Sequence, residues 1–209
     1  MIEPFGLYLI LTDPVAGYEC CAEAAVEAGV RFLQLRMKGV PRSDVLAMAR
    51  RLRAITRGTA TRLIINDDPS VAAEAGADGA HLGQEDMPLA EARARWPQVP
   101  LWGLSTHNEE QARAAVALAP DYIGVGPVYP TPTKAKPDPT VGLERLRKIL
   151  AETPLPAVAI GGIDAERLPE VARAGAENFA VVRAVCQAAD PLSAIRRLQA
   201  IWEEARAGR

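Results

Sequence analysis

The chain has 209 residues and a formal net charge of −2, from 24 lysine and arginine residues and 26 aspartate and glutamate residues. Hydrophobic residues form 49% and charged residues 24% of the sequence, which is typical of one soluble globular domain with a sizeable core. The small net charge gives no reason to expect a nucleic acid or an anionic membrane as a partner, and no apolar run approaches the roughly 20 residues of a membrane-spanning helix.

Eight short segments along the chain have the composition of β-strands. Several are continuously apolar instead of alternating, as strands covered on both faces are. In chain order the predicted strands are Leu7–Leu11, Arg31–Met37, Leu63–Asn66, Gly79–Leu82, Leu101–Ser105, Tyr122–Val125, Ala157–Ile160 and Phe179–Val182.

Segments with helical periodicity separate these strands. Residues Ser43–Ile55, for example, place apolar side chains on one face and arginines on the other. The pair Asp190-Pro191 is typical of a helix N-cap followed by a proline in the first turn. A repeated Ala-Gly pair, at positions 28–29, 75–76 and 174–175, predicts the ends of three helices.

This alternation of strands and helices predicts a parallel sheet. Eight units in 209 residues favour one (β/α)8 TIM barrel, with residues 1–209 as a single domain, over an open doubly wound sheet. The strand count alone leaves a nine-stranded arrangement open. In a TIM barrel the functional residues lie at the carboxyl ends of the strands, so the polar side chains directly after each strand are the candidates.

Three long polar side chains follow one another at the end of the second strand. Alternation along a strand places Gln34, Arg36 and Lys38 on one face, toward the barrel interior. Burying them there is costly unless they meet an anion or pair with carboxylates of the core. The functional interpretation is a pyrophosphate clamp, in which Arg36 supplies a bidentate fork and Lys38 a point charge.

Acidic residues follow the third and fourth strands. In Asn66-Asp67-Asp68-Pro69, Asp68 is typical of a helix N-cap. Neighbouring strands of a barrel end close together, so we expect Asp67 and Asp86 to converge. Mg²⁺ is commonly held by one or two carboxylates together with water and substrate phosphates, which predicts a magnesium site at these two acids. The pair Gln84-Glu85 has a simpler interpretation as a cap of the next helix.

Hydroxyl and imidazole groups follow the fifth strand. For Ser105 and Thr106 the commoner role at such a position is the N-cap of the following helix. His107 is a candidate acid or base without an assignable partner, and a histidine at the start of a helix is more often structural. His81 lies inside a predicted strand, where we expect a core histidine with a satisfied hydrogen bond.

The longest predicted loop, Gly126–Pro139, follows the sixth strand and contains five prolines. Prolines exclude a helix, and a loop of this length in a compact barrel is typical of a lid, although plain surface loops also contain such runs. The threonines Thr131 and Thr133 and the lysines Lys134 and Lys136 offer contacts to an anion.

The seventh and eighth strands end in Gly161-Gly162 and in Val182-Arg183. Phosphate-binding barrels build an anion site here from backbone N–H groups, and glycine allows the backbone to approach a phosphate closely. Arg183 either adds a direct charge to this site or points outward into solvent.

Together these residues predict two anion-binding regions, and hence two phosphorylated groups of which one leaves as pyrophosphate. The sequence has no Ser-His-Asp order, no Cys-x-x-Cys pair and no dinucleotide-binding glycine motif. No lysine lies inside a predicted strand in the position of a Schiff-base lysine, which argues against a class I aldolase. The residues alone therefore predict Mg²⁺-assisted chemistry on phosphates.

Several segments resemble the signature blocks of the thiamine-phosphate synthase (thiamine-phosphate pyrophosphorylase) family, in the family's order and over nearly the whole chain. The block Gly126-Pro127-Val128-Tyr129-Pro130-Thr131-Pro132-Thr133-Lys134 is especially specific. The other segments are Gln34–Lys38, Ile65–Asp67, Asp78–Asp86 and Asp121–Lys134.

The resemblance implies a transferase of thiamine biosynthesis that joins hydroxymethylpyrimidine pyrophosphate to a thiazole phosphate by a dissociative mechanism. It implies that the pyrimidine pyrophosphate is held by Gln34, Arg36, Lys38, Asn66, Ser105 and Lys134, with Arg36, Lys38, Ser105 and Lys134 as the catalytic residues. The implied ligands of the Mg²⁺ cofactor are Asp67 and Asp86. The implied contacts of the thiazole phosphate are Thr131, Thr133, Gly162 and the backbone at Val182 and Arg183.

Two positions depart from the family pattern. Met37 stands where glutamate is usual and should face away from the clamp, and Arg183 stands where serine is frequent. Two other functions stay open, a thiazole tautomerase of the related TenI type with His107 as its acid or base, and a non-catalytic barrel that only binds a phosphate ligand. The presence of Asp67, Asp86 and Lys134 favours the synthase.

The sequence says less about the cellular compartment and the oligomeric state than about the fold. The N-terminal residues lack the basic start and cleavage site of a signal peptide, so we expect a cytoplasmic protein. Three cysteines, of which Cys20 and Cys21 are adjacent, predict reduced thiols with Cys186 as a small core residue. The expected partners are small-molecule substrates, and the sequence leaves a homo-oligomer open.

Overall fold

In the computed structural model, which describes residues 2–133 and 138–208, eight parallel strands form a closed barrel in the order β1 to β8. Each strand pairs in parallel with the next, and β1 pairs with β8. The strands are β1 Gly6–Leu11, β2 Phe32–Leu35, β3 Arg62–Asn66, β4 Gly79–Leu82, β5 Leu101–Thr106, β6 Tyr122–Val125, β7 Ala157–Ile160 and β8 Asn178–Val181. This confirms the predicted (β/α)8 barrel, and the described residues contain no ninth strand.

Helices alternate with the strands, with a short extra helix after β8. The helices are α1 Tyr18–Glu27, α2 Arg42–Thr56, α3 Pro69–Ala75, α4 Leu89–Arg95, α5 Glu109–Leu118, α6 Gly142–Glu152, α7 Leu168–Arg173, α8 Arg183–Cys186 and α9 Pro191–Ala207. None of these helices, within the described part of the chain, is long and apolar enough to cross a membrane.

The predicted start and stop signals of the helices are confirmed. The side chain of Asp190 accepts a hydrogen bond from the backbone N–H of Ser193 at 3.0 Å, and Pro191 begins α9. Gly76 ends α3 with φ 64°, in the left-handed region that glycine adopts without strain. These signals set where each helix turns back toward the next strand.

Strand β2 is shorter than predicted at both ends. It ends at Leu35 and not at Met37, although the N–H of Arg36 still donates to the carbonyl of Leu11 at 2.9 Å. The chain then departs from the barrel, and the ammonium of Lys38 pairs with the carboxylate of Asp67. Because Lys38 is drawn to Asp67, which follows β3, its side chain does not continue the inward and outward alternation of side chains along β2.

Two hydrophobic cores result from the closed barrel. The larger one lies between the strands and the helices, and Met37 packs against it, as predicted from its alternate position beside Arg36. The smaller core fills the barrel interior with inward-facing side chains of six strands. Its buried members are Tyr8, Ile10, Phe32, Ile64, Tyr122, Val158 and Ala180.

Aromatic rings dominate the interior core. The rings of Tyr8, Phe32 and Tyr122 meet edge to face, with centroids 5.6–5.8 Å apart. Phe5, which precedes β1, stacks on Phe32 at 4.2 Å. Because Phe5 and the start of β2 lie at the amino-terminal end, this packing closes that end of the barrel and leaves the interior accessible from the carboxyl ends of the strands.

The three cysteines are free. Cys186 is 1% exposed, which confirms it as a core residue. Burial raises the pKa of the Cys21 thiol to about 12, so this thiol is protonated and unreactive at neutral pH.

Candidate active site

A cavity of about 460 Å³ lies above the aromatic layer, at the carboxyl ends of the strands. All eight strands contribute residues to its wall. This is the end at which TIM barrels carry their active sites, and the cavity has the size of a small-molecule site. The position of each predicted site residue can therefore be described relative to this cavity.

The three residues of the predicted clamp do not share one environment. Gln34 is 2% exposed, and its amide nitrogen donates to the hydroxyl of Tyr8 at 2.8 Å on the cavity floor. Arg36 lies half-buried on the cavity wall. Lys38 does not line the cavity; it is exposed at the rim, paired with Asp67. The prediction of one shared face was wrong for Lys38 because the chain leaves β2 after Leu35.

The predicted acid pair does converge. Asp67 adopts φ 63°, and its N–H donates to the carbonyl of His81 at 2.8 Å, which ties the end of β3 to β4. Asp86 accepts a hydrogen bond from the N–H of Gly83 at 2.6 Å and contacts the carboxyl of Asp67. Burial and the neighbouring Asp67 raise the pKa of Asp86, while the Gly83 N–H and Lys38 act in the opposite direction.

These two acids fit a divalent cation by their chemistry. Two carboxylates in contact repel each other unless a proton or a cation lies between them, and carboxylate oxygens are the ligands that Mg²⁺ prefers. Within residues 2–133 and 138–208, no group of three or more acidic, histidine or cysteine side chains could hold a metal ion. A cation at this position would thus take its remaining ligands from water and from substrate oxygens, as Mg²⁺ usually does.

The capping predictions have mixed outcomes. Asp68 caps α3, as predicted, by accepting from the N–H groups of Ser70 and Val71 at 2.9 and 3.2 Å. The predicted caps at residues 105–106 are wrong, because β5 continues to Thr106 and Asn108 caps α5 instead. Thr106 donates to the carbonyl of Gly124 at 3.0 Å inside the barrel wall.

The prediction that Gln84 and Glu85 cap the next helix is also wrong. Helix α4 begins only at Leu89, after Pro88. The amide of Gln84 instead donates to the carbonyl oxygen of Ser105 at 2.5 Å, across the rim. The loop after β4 therefore holds the end of β5.

Both histidines line the cavity. His81 has the satisfied hydrogen bonds that were predicted, with Nδ1 3.1 Å from the Tyr122 hydroxyl and Nε2 2.9 Å from the Ser105 hydroxyl. It belongs to the cavity wall, however, and not to a closed core. His107 places Nδ1 2.6 Å from the carbonyl of Gly126 and Nε2 3.5 Å from the carboxylate of Asp138, a partner that the sequence did not reveal.

Part of the proline-rich loop forms one wall of the cavity. Thr131 and Thr133 line it, and the hydroxyl of Thr131 donates to that of Thr133 at 3.1 Å. Lys134, which was predicted to contact the pyrimidine pyrophosphate, and Lys136 lie outside the described residues. Asn66, at the end of β3, lines the cavity beside Arg36.

The paired glycines after β7 allow this loop to pack closely. Gly161 and Gly162 have φ 101° and 64°. A Cβ atom on Gly161 would lie 2.5 Å from the Cα of Pro127, and one on Gly162 would lie 2.7 Å from the carbonyl oxygen of Pro130. Only glycine fits both the backbone conformation and the space at these positions.

Arg183 contributes to the cavity wall and is also exposed to solvent. It begins the short helix α8 and lines the cavity, with its guanidinium 3.1 Å from the side-chain oxygen of Gln187. Val182, just before α8, also lines the cavity. The first N–H groups of a helix have no acceptor within the helix, so this position suits an anion.

Sequence reasoning missed several residues of the cavity, among them Tyr8, Tyr122 and Arg167. Tyr8 and Tyr122 were interpreted only as strand residues, although applying the alternation used for β2 to β1 and β6 would have turned them inward. Arg167 follows β7 in the loop before α7; it donates to the carbonyl of Gly162 at 2.8 Å and lies 5.0 Å from the ring centre of Tyr129. No sequence signal identified Arg167.

Comparisons with known proteins agree with this geometry. A family model described as thiamine monophosphate synthase matches residues 7–185. A thiamine-phosphate synthase of Anaeromyxobacter dehalogenans is 44% identical over 206 residues, covering 98% of this chain and 90% of that protein. One from Archaeoglobus fulgidus is 39% identical over 94% of this chain and 93% of its own. The solved thiamine phosphate pyrophosphorylase from Pyrococcus furiosus superposes with a TM-score of 0.88 at 34% identity, covering 97% of both chains.

Proposed function

The chain belongs to the thiamine monophosphate synthase family, and on that premise we propose that it is a thiamine-phosphate synthase. This transferase joins hydroxymethylpyrimidine pyrophosphate to a thiazole phosphate and releases pyrophosphate. The observation that carries the proposal is the arrangement of the cavity. Arg36 and Asn66 line the cavity after β2 and at the end of β3, and the acid pair lies in the loops after β3 and β4. Gly162 and Arg183 line the cavity after β7 and β8.

The pyrimidine pyrophosphate occupies the side of the cavity formed by β2 to β5. Arg36 and Asn66 bind the leaving pyrophosphate from the wall, and Lys38 reaches it from the rim. Asp67 and Asp86 would hold Mg²⁺, and the bound ion would supply positive charge to stabilise the leaving group. Gln34, which bonds Tyr8, and Ser105, which bonds His81, bind the pyrimidine end. Lys134 completes the set that the family resemblance implies.

The thiazole phosphate occupies the opposite side. Thr131, Thr133, Gly162 and Val182 all line the cavity, and their hydroxyls and backbone N–H groups are the proposed contacts of the phosphate. Arg183, at the start of α8, adds a positive charge next to these groups. This arrangement suits a phosphate dianion, because backbone N–H groups and a guanidinium donate to it from different directions.

The chemistry follows from this division of the cavity. The carbon–oxygen bond between the pyrimidine methylene and pyrophosphate breaks first, and its electron pair leaves with pyrophosphate. The thiazole nitrogen then donates its lone pair to the methylene carbon, which forms the carbon–nitrogen bond. No protein nucleophile is required, so the main task of the residues is to bind the departing charge and to align the two rings.

An assay of pyrophosphate release tests the proposal. With both substrates and Mg²⁺ we expect release of one pyrophosphate for each thiamine phosphate, and no thiamine phosphate when a substrate or the metal is omitted. Metal-independent conversion of a thiazole phosphate alone would instead identify the tautomerase, for which the His107–Asp138 contact supplies a candidate acid and base. Ligand binding without turnover would identify a regulatory barrel.

The compartment is part of the same proposal. The three free thiols fit a reducing environment, and we place the reaction in the cytoplasm.

A further inference from the structure

A continuous string of hydrogen-bonded side chains crosses the floor of the cavity. It starts at Gln34 and passes through Tyr8, Tyr122 and His81 to Ser105. The successive distances are 2.8 Å from Gln34 to Tyr8, 2.8 Å from Tyr8 to Tyr122, 3.1 Å from Tyr122 to His81 and 2.9 Å from His81 to Ser105. The string therefore connects the two residues that the proposed function assigns to the pyrimidine end of the substrate.

The number of protons on each group allows two directions for the string, and the donor at Gln34 favours one of them. The amide nitrogen of Gln34 donates to the hydroxyl of Tyr8, so the one proton of Tyr8 is available for Tyr122. In this direction Tyr122 accepts the proton of Tyr8 and donates its own to Nδ1 of His81, which lies 3.1 Å away. A neutral imidazole that accepts at Nδ1 carries its proton on Nε2, which donates to the hydroxyl oxygen of Ser105.

We propose that Tyr8, Tyr122 and His81 are positioning residues that turn the hydroxyl proton of Ser105 into the cavity. Ser105 then acts as a hydrogen-bond donor to the substrate, and the acceptor is a ring nitrogen of the pyrimidine. The identity of this substrate rests on the proposed function. The direction of the string does not.

Burial keeps the two tyrosines of the string neutral. Tyr8 and Tyr122 are 2% and 0% exposed, and burial raises the pKa of both hydroxyls above the ordinary value. Each tyrosine therefore keeps its single proton at neutral pH. A hydroxyl with one proton donates one hydrogen bond, so its neighbours determine the direction in which it donates.

Glycine provides the space that the string requires. A Cβ atom on Gly103 would lie 2.3 Å from Nδ1 of His81 and 2.3 Å from Cζ of Tyr122, so no larger residue permits this contact. Gln84 holds Ser105 from the other side, through the carbonyl oxygen at 2.5 Å. The hydroxyl of Ser105 is thus fixed by its own backbone as well as by His81.

The opposite direction would give the opposite chemistry. If His81 carried its proton on Nδ1, it would donate to Tyr122, and Ser105 would donate its proton to Nε2. Ser105 would then offer only lone pairs to the substrate. The tautomer of His81 therefore distinguishes the two cases.

Nitrogen NMR of the free protein measures this tautomer without any substrate. The chain has two histidines, so ¹⁵N-histidine labelling together with His107→Asn assigns the signals of His81. We expect the proton on Nε2 at neutral pH. In Tyr122→Phe this preference should be lost, because the donor to Nδ1 is absent, and in Tyr8→Phe it should be weakened, because Tyr122 no longer has the donor that fixes its direction. A proton on Nδ1, or on both nitrogens, in the wild-type protein would overturn the proposal.

A double-mutant cycle tests whether Tyr122 acts through Ser105. Loss of one hydrogen bond corresponds to a rise of about 3- to 10-fold in KM for the pyrimidine pyrophosphate, which we expect in Ser105→Ala and, to a smaller degree, in Tyr122→Phe. In the double variant, KM for the pyrimidine pyrophosphate should rise no more than in Ser105→Ala alone. KM for the thiazole phosphate should not change in any of the three variants. If the two single increases in KM multiply in the double variant, or if KM rises equally for both substrates, Tyr122 has a general structural role and the proposal is contradicted.

The two measurements separate the two proposals. If the wild-type protein forms no thiamine phosphate, the proposed function fails, and the tautomer of His81 still tests the direction of the string.

Discussion

At the scale of single residues, the acids Asp67 and Asp86 carry the sharpest prediction. Asp67→Ala or Asp86→Ala should reduce turnover by 10²-fold or more, on the order of the loss from removing one strong electrostatic contact in an active site. The fold should remain intact, because the contacts of Asp86 with the N–H of Gly83 and with Asp67 are local to the rim, and Asp67 is partly exposed there. Steady-state rates at saturating Mg²⁺, together with circular dichroism, measure both effects.

A matched control is Asp190→Ala. Asp190 is also an aspartate that accepts a backbone N–H, but it caps α9 outside the cavity. We expect this variant to keep the wild-type rate. A wild-type rate in either rim variant would remove the metal assignment, and an equal loss in Asp190→Ala would show that the effect is not specific to the rim acids.

At the scale of elements, the packing of the proline-rich loop on the loop after β7 depends on Gly162. In Gly162→Ala the new methyl group would collide with the carbonyl of Pro130 at 2.7 Å, and φ 64° adds backbone strain of about 1 kcal/mol. We expect a higher KM for the thiazole phosphate, because Thr131 and Thr133 move with this loop. Substrate-dependent kinetics and thermal unfolding measure the two effects.

Gly76 offers the matched control for Gly162. It has the same φ of 64°, at the end of α3, and an added Cβ there would meet nothing within 4 Å. Gly76→Ala should therefore show the loss of stability without the change in KM. If both variants change KM equally, the close packing of the two loops does not position the threonines.

The N-cap of α9 predicts how the stability depends on pH. Hydrogen bonds from the hydroxyl and N–H of Ser193 hold the pKa of Asp190 below its ordinary value of 3.8. A lowered folded-state pKa contributes stability that is present above the ordinary value and is lost as the pH falls through the folded-state pKa. The difference in Tm between wild type and Asp190→Ala should therefore shrink in acid.

The variant Asp190→Asn is the control for this pH effect. Asparagine also caps a helix but does not titrate in this range. Its advantage in Tm over Asp190→Ala should stay constant with pH. A wild-type advantage that is equally constant would contradict the assigned role of the carboxylate.

The elements also show what the sequence could predict. Both ends of strand β6, Tyr122–Val125, were predicted correctly, because turn signals on either side of a short apolar run mark where the strand begins and ends. The position of Lys38 in the clamp was predicted wrongly. Alternation of side chains holds only within a strand, β2 ends at Leu35, and the ion pair with Asp67 places Lys38 at the rim. The cap of α5 was wrong because pairing with β6 extends β5 to Thr106, which no local signal shows. Contacts between loops, such as that of Arg167, depend on tertiary structure alone.

At the scale of the whole molecule, the two ends of the barrel have different tasks. The carboxyl ends of the strands carry the cavity, whereas polar side chains at the amino ends hold the strands together. Asp78 accepts from the N–H of Leu63 at 2.8 Å, and Asp121 accepts from the N–H of Trp102 at 2.7 Å. Asn178 does the same where the barrel closes: it accepts from the N–H groups of Phe5 and Gly6.

Asn178 therefore predicts a loss of stability without a loss of activity. It is 2% exposed, and its amide also donates to the carbonyl of Ala157 at 3.1 Å, so it connects β7, β8 and β1. Asn178→Ala should lower the free energy of unfolding by about 1–3 kcal/mol, because buried backbone groups lose their partners. Urea denaturation measures this loss. At a temperature where the variant stays folded, KM and kcat should remain close to wild type, opposite to the pattern expected for Asp67→Ala. A lowered kcat in folded Asn178→Ala would mean that closure of the barrel at its amino end also sets the geometry of the cavity.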